Sequence, residues 1–309
     1  MELPDGLTAR PLVPTDARAV YELMAAQELA DVGSIEIEEA DIVSDWARPS
    51  FDVSDSTVGV FDGDRLVAYA EVSGQDRGDA ALDPAHRGRG IGTVLAGWMQ
   101  EKVRSRGGAV VGMPVPEGSA GDRLLEALGY RVRWTSWVLK LPPGATIVER
   151  PLPEGYAVRA AHEEEYPAVH EVAEDAFLEW SVRDREPYED FLAQTTGRPG
   201  FEPWQLRVVT DPSGEVVGMA QVTLALTEDP STDSGQAPPK AFVARLAVRR
   251  DERNRGLAQA LMVDAFREGR DHGAEASCLT TDSRTGALGL YEKVGMVVTS
   301  VWVNRAIDL

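Results

Sequence analysis

Two copies of one mixed α/β domain, each a mostly antiparallel sheet flanked by helices, are predicted by three observations on the 309-residue chain. The first is a gapless repeat. Sliding the sequence by 166 residues lays RGRGIGTVLAGWMQEKVRSRGG (87–108) on RNRGLAQALMVDAFREGRDHGA (253–274), and LLEALGY (124–130) on LYEKVGM (290–296). One register held across 44 residues, with the glycines aligned, is the mark of an internal duplication. The second is the order of elements within each copy, an antiparallel front followed by a βαβα rear, which makes a mixed α/β domain. The third is a seam, LPPGATIVERPLPEG (141–155), whose four prolines and two glycines suit a boundary. The expected division is therefore an N-terminal domain over 1–140, a linker over 141–155 and a C-terminal domain over 156–309.

The elements follow in the same order in both copies. A short strand and a helix (16–30; 163–177) open each domain. Two strands near 57–72 and 205–226 come next, broken by turns such as Asp62-Gly63-Asp64 and Asp211-Pro212-Ser213-Gly214. A third strand (79–82; 241–248) runs into a basic turn and a long helix. A buried-looking strand (109–113; 276–281), a second helix and closing strands complete the copy. The second copy carries an extra loop, TEDPSTDSGQAPPK (227–240), of a length and composition that suit a gate.

Composition excludes several functions. A net charge of −20 repels nucleic acid and anionic lipid, so neither is an expected partner. No apolar run reaches the ~20 residues that span a bilayer, and the N-terminus lacks a signal-peptide pattern, so a cytoplasmic location is expected. One cysteine, Cys278, and four scattered histidines offer no metal-ligand spacing, so no metal is expected.

The basic turn carries the chemistry. Helix starts usually attract acidic residues, because their first N–H groups are unpaired and the dipole is positive there. Here Arg253-Asn254-Arg255-Gly256 leads into Leu257 and Ala258 instead, and the first copy repeats it as Arg87-Gly88-Arg89-Gly90-Ile91-Gly92. Small residues let backbone amides converge on one point, and the arginines can add charge-assisted contacts. The natural ligand is a phosphate or diphosphate. The spacing is neither GxGxxG nor GxxxxGK[ST], which disfavours nucleotide chemistry.

The pattern Q/R-x-x-G-x-G/A between a strand and a long helix resembles the acetyl-CoA signature of the GCN5-related N-acetyltransferase (GNAT) superfamily. ALGLYEKVGM (287–296) is similar to that family's second signature, A-x-x-L-Y-E-K-x-G-F. The resemblance covers nearly the whole chain and implies a tandem member of the family. It implies coenzyme A as the diphosphate carrier, held by the turn amides, with the pantetheine arm along Leu246, Ala247 and Val248. It implies acetyl transfer to a primary amine of a small molecule, with Tyr291 of the LYE segment protonating the departing thiolate. A phenol near pKa ~10 can supply a thiolate whose thiol ionises near ~8.5 at little cost.

Leu125 stands at the first-copy position of Tyr291, so chemistry is expected in the C-terminal domain alone, while retention and loss of coenzyme A binding at the N-terminal turn both stay open. Relatives often carry a glutamate in the strand before the turn, but Ala241–Val248 has no carboxylate; Glu228, Asp229 and Asp282 are candidates for a base, with a water relay or an amine neutral without help as the alternative. The segment after the first helix of the second copy is expected to face the acceptor. There Trp180 and Trp204, with Glu179, Asp184 and Glu186, could grip a cation. The competing class is a non-catalytic acyl-CoA sensor or scaffold, against which the retained phenol argues. A fused pair can satisfy internally the contact by which such domains dimerise, so a monomer is expected, with a homodimer as the alternative.

Overall fold

The computed structural model describes residues 2–149 and 151–309; Met1 of the expected first domain and Arg150 of the expected linker lie outside the described residues. Two compact units form, one from residues up to Ser136 together with Ser300–Leu309, the other Trp137–Thr299.

The first unit opens with β1 (Leu7–Arg10), α1 (Ala17–Asp31), α2 (Glu39–Trp46) and the single turn α3 (Val53–Ser56). The strands β2 (Thr57–Asp62), β3 (Arg65–Ser73) and β4 (Arg77–Leu82) then run antiparallel as a meander. After α4 (Ile91–Ser105) comes β5 (Val110–Pro116), which meets β4 in parallel at the single pair Arg77↔Gly112. The helix α5 (Ala120–Ala127) and the strand β6 (Arg131–Lys140) follow. Both faces of the sheet are covered at β2 and β3, which is why these two strands are buried along most of their length. Val67, Val72, Leu95, Met99 and Val111 fill the α4 side. Val20, Tyr21, Trp46 and Tyr69 fill the side of α1 and α2.

The second unit repeats the plan with β7 (Ala157–Ala160), α6 (Tyr166–Phe177), α7 (Tyr188–Gln194), β8 (Leu206–Thr210), β9 (Val216–Ala225) and β10 (Lys240–Val248). It continues through α8 (Leu257–Asp271), β11 (Ala276–Asp282) and α9 (Leu288–Lys293) into β12 (Val297–Asp308). Leu261, Phe266, Val222 and Val243 pack on the α8 side, and Val169, Ala173, Phe191 and Met219 on the side of α6 and α7. Phe191 and Phe266 are fully enclosed, each contributing roughly 1.5–3 kcal/mol by burial.

Relative to the linear division expected from the sequence, the units exchange their closing strands. Residues 300–308 of β12 pair antiparallel with β5 from Trp302↔Pro116 to Asp308↔Val110, inside the first unit. The end of β6 belongs to the second unit, where Leu139 and Trp137 join the α8-side core and the Leu141 N–H donates to Ser277 O at 2.9 Å. The extra loop after β9 is closed on itself: Glu228 bridges Gln236, and the Ala237 N–H donates to Thr227 O at 2.9 Å.

Candidate active site

In both units a pair of parallel strands separates just before the basic turn. In the second, β10 and β11 pair from Lys240↔Ala276 to Val243↔Leu279 and no further, while β10 shifts register against β9 between Val243 and Arg245. Leu246, Ala247 and Val248 therefore line one arm of an open wedge. In the first, β4 and β5 share one pair, and the wedge between them is a cavity of about 290 Å³ reached by Ala80–Leu82, Met113, Val115 and Leu125.

At the wedge the chain turns into a helix through a left-handed residue. Gly90 has φ 83° and ψ −6°, and Gly256 has φ 83° and ψ 2°, each as N-cap without a side-chain hydrogen bond. Two residues earlier, Gly88 (φ 76°) and Asn254 (φ 64°) are also left-handed, which glycine does freely and asparagine tolerates. The first intrahelical bonds come from Val94 N–H to Gly90 O (3.2 Å) and from Ala260 N–H to Gly256 O (3.0 Å). The N–H groups of Ile91–Thr93 and Leu257–Gln259 are thus left with no carbonyl of their own helix, and no acidic residue occupies either first turn. A cradle of amides at the positive end of a 15-residue helix fits a diphosphate.

The arginines of the turn have partners within the protein. Arg253 is bidentate to Glu179 (2.7 and 2.9 Å) and donates Nε–H to Val248 O at 3.2 Å, bracing the turn to the strand end. Arg255 donates to the Tyr156 hydroxyl at 2.8 Å and lies 3.3 Å from Glu252. Arg87 is bidentate to Asp31 at 2.9 Å, while Arg89 is exposed. Arg87, Arg253 and Arg255 are thus each engaged by ion pairs or hydrogen bonds within the protein, beside the free main-chain amides of the turn. The signal that could have revealed this is the acid at or just past the end of the first helix in each copy, Asp31 and Glu179.

Tyr291, on α9, is 8% exposed and shares a buried cluster with Val243 and Val248 of β10, Leu257 of α8 and Leu279 of β11, the elements that bound the wedge. Leu125 lines the corresponding cavity of the first unit. Burial pushes the Tyr291 phenol up to about 12, so it holds its proton throughout the physiological range. It is a weaker acid than the sequence alone led us to expect.

The segment after α6 bridges the mouth of the second wedge. Glu179 holds Arg253. Trp180 sits edge-on to Phe177 at 5.6 Å and under the Arg284 guanidinium at 4.8 Å. Glu186 pairs with Arg245 of β10 at 2.9 Å. Asp184 is exposed beside them. Trp204 is not part of this group: its ring stacks on His272 at 4.1 Å, just past the end of α8. Of the carboxylates considered as a base, Asp282 is bidentate with Arg284 and Asp229 caps its own loop through Ser231. Sequence reasoning missed Arg245 and, in the first unit, the cross-strand pair Glu71↔Asp79. Burial, joined by the charge of Asp79, pushes the Glu71 carboxyl up to about 7 even though the Trp46 indole N–H donates to it at 3.0 Å. A carboxylate in an otherwise apolar strand was the available signal.

A sheet wedged open beside an uncapped glycine turn, with a buried phenol at the wedge, is the architecture of an acyl-carrier-dependent transferase. Residues 158–296 match the model of the acetyltransferase (GNAT) family, and residues 57–138 match that of FR47-like proteins. The mycothiol acetyltransferase of Salinispora arenicola is 29% identical over 77% of this chain and 77% of its own. That of Salinispora tropica is 27% identical over 73% of this chain and 71% of its own. The crystal structure of a GCN5-related N-acetyltransferase from Sphaerobacter thermophilus superposes with a TM-score of 0.73 at 27% identity, covering 99% of this chain and 97% of that one. The second unit belongs to the acetyltransferase (GNAT) family, and the chain is a tandem N-acetyltransferase that uses acetyl-CoA. Among the described residues no helix is long and apolar enough to cross a membrane.

Proposed function

We propose that the chain acetylates a primary amine of a small molecule, with the chemistry in the second unit. The observation that carries this reading is the exchange at one place in a duplicated fold, Tyr291 in the second wedge and Leu125 in the first. The relatives described as mycothiol acetyltransferases support a small-molecule acceptor.

Acetyl-CoA supplies the activated thioester. The amides of Asn254–Ala258 hold its diphosphate, and Leu246–Val248 offer an unpaired strand edge to the pantetheine amides. Tyr291 donates a hydrogen bond to the sulfur as the amine attacks. With the phenol at about 12 and a thiol near ~8.5, complete proton transfer costs about 5 kcal/mol before the thiolate charge is paired. Hydrogen bonding thus leads, and the proton follows as the C–S bond breaks. In the first unit the turn of Arg87, Gly88, Arg89, Gly90, Ile91 and Gly92, with its cavity, binds coenzyme A without a proton donor. Trp180, Asp184 and Glu186 face the acceptor.

Thiol release from acetyl-CoA, followed with a panel of glucosamine, an aminoglycoside, amino acids, spermidine and a peptide N-terminus, tests the reading. Turnover above background with one class is expected; none with any of them defeats it in favour of a binding protein.

A further inference from the structure

The duplicated fold lets one position be compared across the two copies, and there the charge is inverted. In the first unit Asp79 of β4 opposes Glu71 of β3, two residues before Ala81 of the cavity wall. In the second, Arg245 of β10 opposes Gln221 of β9, two residues before Ala247. The offset of 166 that aligns the turns also aligns 79 with 245. A carboxylate at this wall in one copy has thus become a guanidinium in the other, on a strand, Lys240–Val248, that contains no acid.

That guanidinium brings a carboxylate back. Arg245 donates to Glu186 at 2.9 Å and to Gln194 Oε1 at 2.5 Å, and lies 5.2 Å over the Phe191 ring. Glu186 is fixed at its backbone: its N–H donates to Glu174 Oε2 at 2.8 Å, and its carbonyl accepts from His170 Nε2 at 2.8 Å. Glu174 is itself held by Arg183, at 2.6 and 2.8 Å. The Glu186 and Arg245 side chains remain 16% and 17% exposed, within reach of a solute.

Alternation along β10 separates two faces of the wedge. Ala247, two residues from Arg245, packs with the cluster of α6 and α7, whereas Val248 packs with the cluster of Tyr291. An amine arriving from the α6–α7 side therefore meets Glu186 while the departing sulfur meets Tyr291.

We propose that Glu186 is the amine-receiving carboxylate of the second wedge, positioned by Arg245 at the place where the first unit carries Asp79. The inference rests on the acetyltransfer reading above. An incoming ammonium gives one proton to Glu186, which passes it to solvent. The amine lone pair forms the C–N bond as the C–S bond breaks. Tyr291 protonates the thiolate and is refilled by the second amine proton, so the net products are amide, thiol and one proton. The charged and titratable groups facing Glu186 are Arg245, Arg183, Glu174 and His170.

The test uses the full chain with acetyl-CoA and the amine of the panel that the parent protein turns over fastest. Glu186→Gln is expected to lower kcat/KM for the amine by about 10²-fold near neutral pH, with recovery as the pH approaches the amine's own pKa. The calorimetric Kd for acetyl-CoA should stay within about twofold, since the variant leaves the turn intact. Glu186→Asp, which keeps the charge and the fold, should show a loss of about tenfold with the same Kd, and Arg245→Met a loss in between. A parent-like rate and pH profile in Glu186→Gln, when Tyr291→Phe is slowed, overturns the inference and leaves the acetyltransfer reading standing. Loss of acetyl-CoA affinity in step with rate, or a deficit that high pH does not relieve, overturns it as well, by showing a merely structural pair.

Discussion

Positions 125 and 291 occupy the same place on two copies of one short helix, and only the second offers a hydroxyl. Tyr291→Phe removes the donor while keeping the ring that fills the wedge. Turnover should fall by about 10²-fold with the acetyl-CoA Kd unchanged, as measured by steady-state thiol release and calorimetry. A near-normal kcat would remove Tyr291 from the chemistry. The turn gives a second test at this scale. Gly256 sits at φ 83°, so Gly256→Ala costs roughly 1–2 kcal/mol of strain and tilts the amides that follow. Acetyl-CoA affinity in the second unit should drop about tenfold, in proportion to that strain, whereas Asn254→Gly, at φ 64°, should leave it unchanged or improve it. The glycines, the tyrosine and its missing counterpart were all legible in the sequence, because backbone freedom and a phenol are properties of single residues. The partners of Arg253 and Arg255 were not: a guanidinium shows its charge in the sequence, but Glu179 is 74 residues away and Tyr156 is 99.

The helices and strands were legible as types, since period and turn chemistry are local. The destination of β12 was not. Its pattern is that of a half-buried strand, and nothing local distinguishes pairing with its own copy from pairing with β5 of the first unit. What fixes it is long-range chemistry. Arg305 of β12 is nearly buried and pairs with Asp122 of α5 at 2.6 Å, while its other nitrogen donates to Tyr130 O at 3.3 Å. Asp122 also accepts from the Gly118 N–H at 2.8 Å, so it serves the helix start and the exchanged strand together. Asp122→Ala should destabilise the first unit by about 1–3 kcal/mol, because the largely buried guanidinium loses its buried partner and keeps only the exposed Glu126, at 3.3 Å, as counter-charge. Urea denaturation of the full chain checks this through the midpoint of the first unit's transition. The double variant Asp122→Ala with Arg305→Met should recover much of the loss. If it does not, the capping role of Asp122 outweighs the ion pair.

At the scale of the whole molecule the duplication has let the two copies divide in charge as well as in chemistry. The first unit keeps two carboxyls, Glu28 and Glu71, that burial pushes up to about 7, whereas the equivalent of Glu71 in the second unit is Gln221. Net composition, −20, hid this difference, since it averages over both copies and says nothing of which acids are dry. The consequence is a pH-dependent stability that belongs to the first unit. A carboxyl whose folded pKa lies above its unfolded value near ~4.5 keeps its proton longer in the folded state. Its contribution is complete below about 4.5 and is lost as the pH rises through about 7. At pH 8 the folded unit must hold Glu71 ionised opposite Asp79, which burial also pushes up. Glu71→Gln removes that cost and can still accept the Trp46 indole N–H. It should stabilise the first unit by on the order of 1–3 kcal/mol at pH 8 and by much less at pH 4.5, where the folded carboxyl is protonated and the unfolded one about half so. Thermal melts of parent and variant at the two pH values measure the difference. An equal shift at both would mean that Glu71 ionises as freely in the fold as out of it, and that the charge inversion between the copies has no bearing on the stability of either.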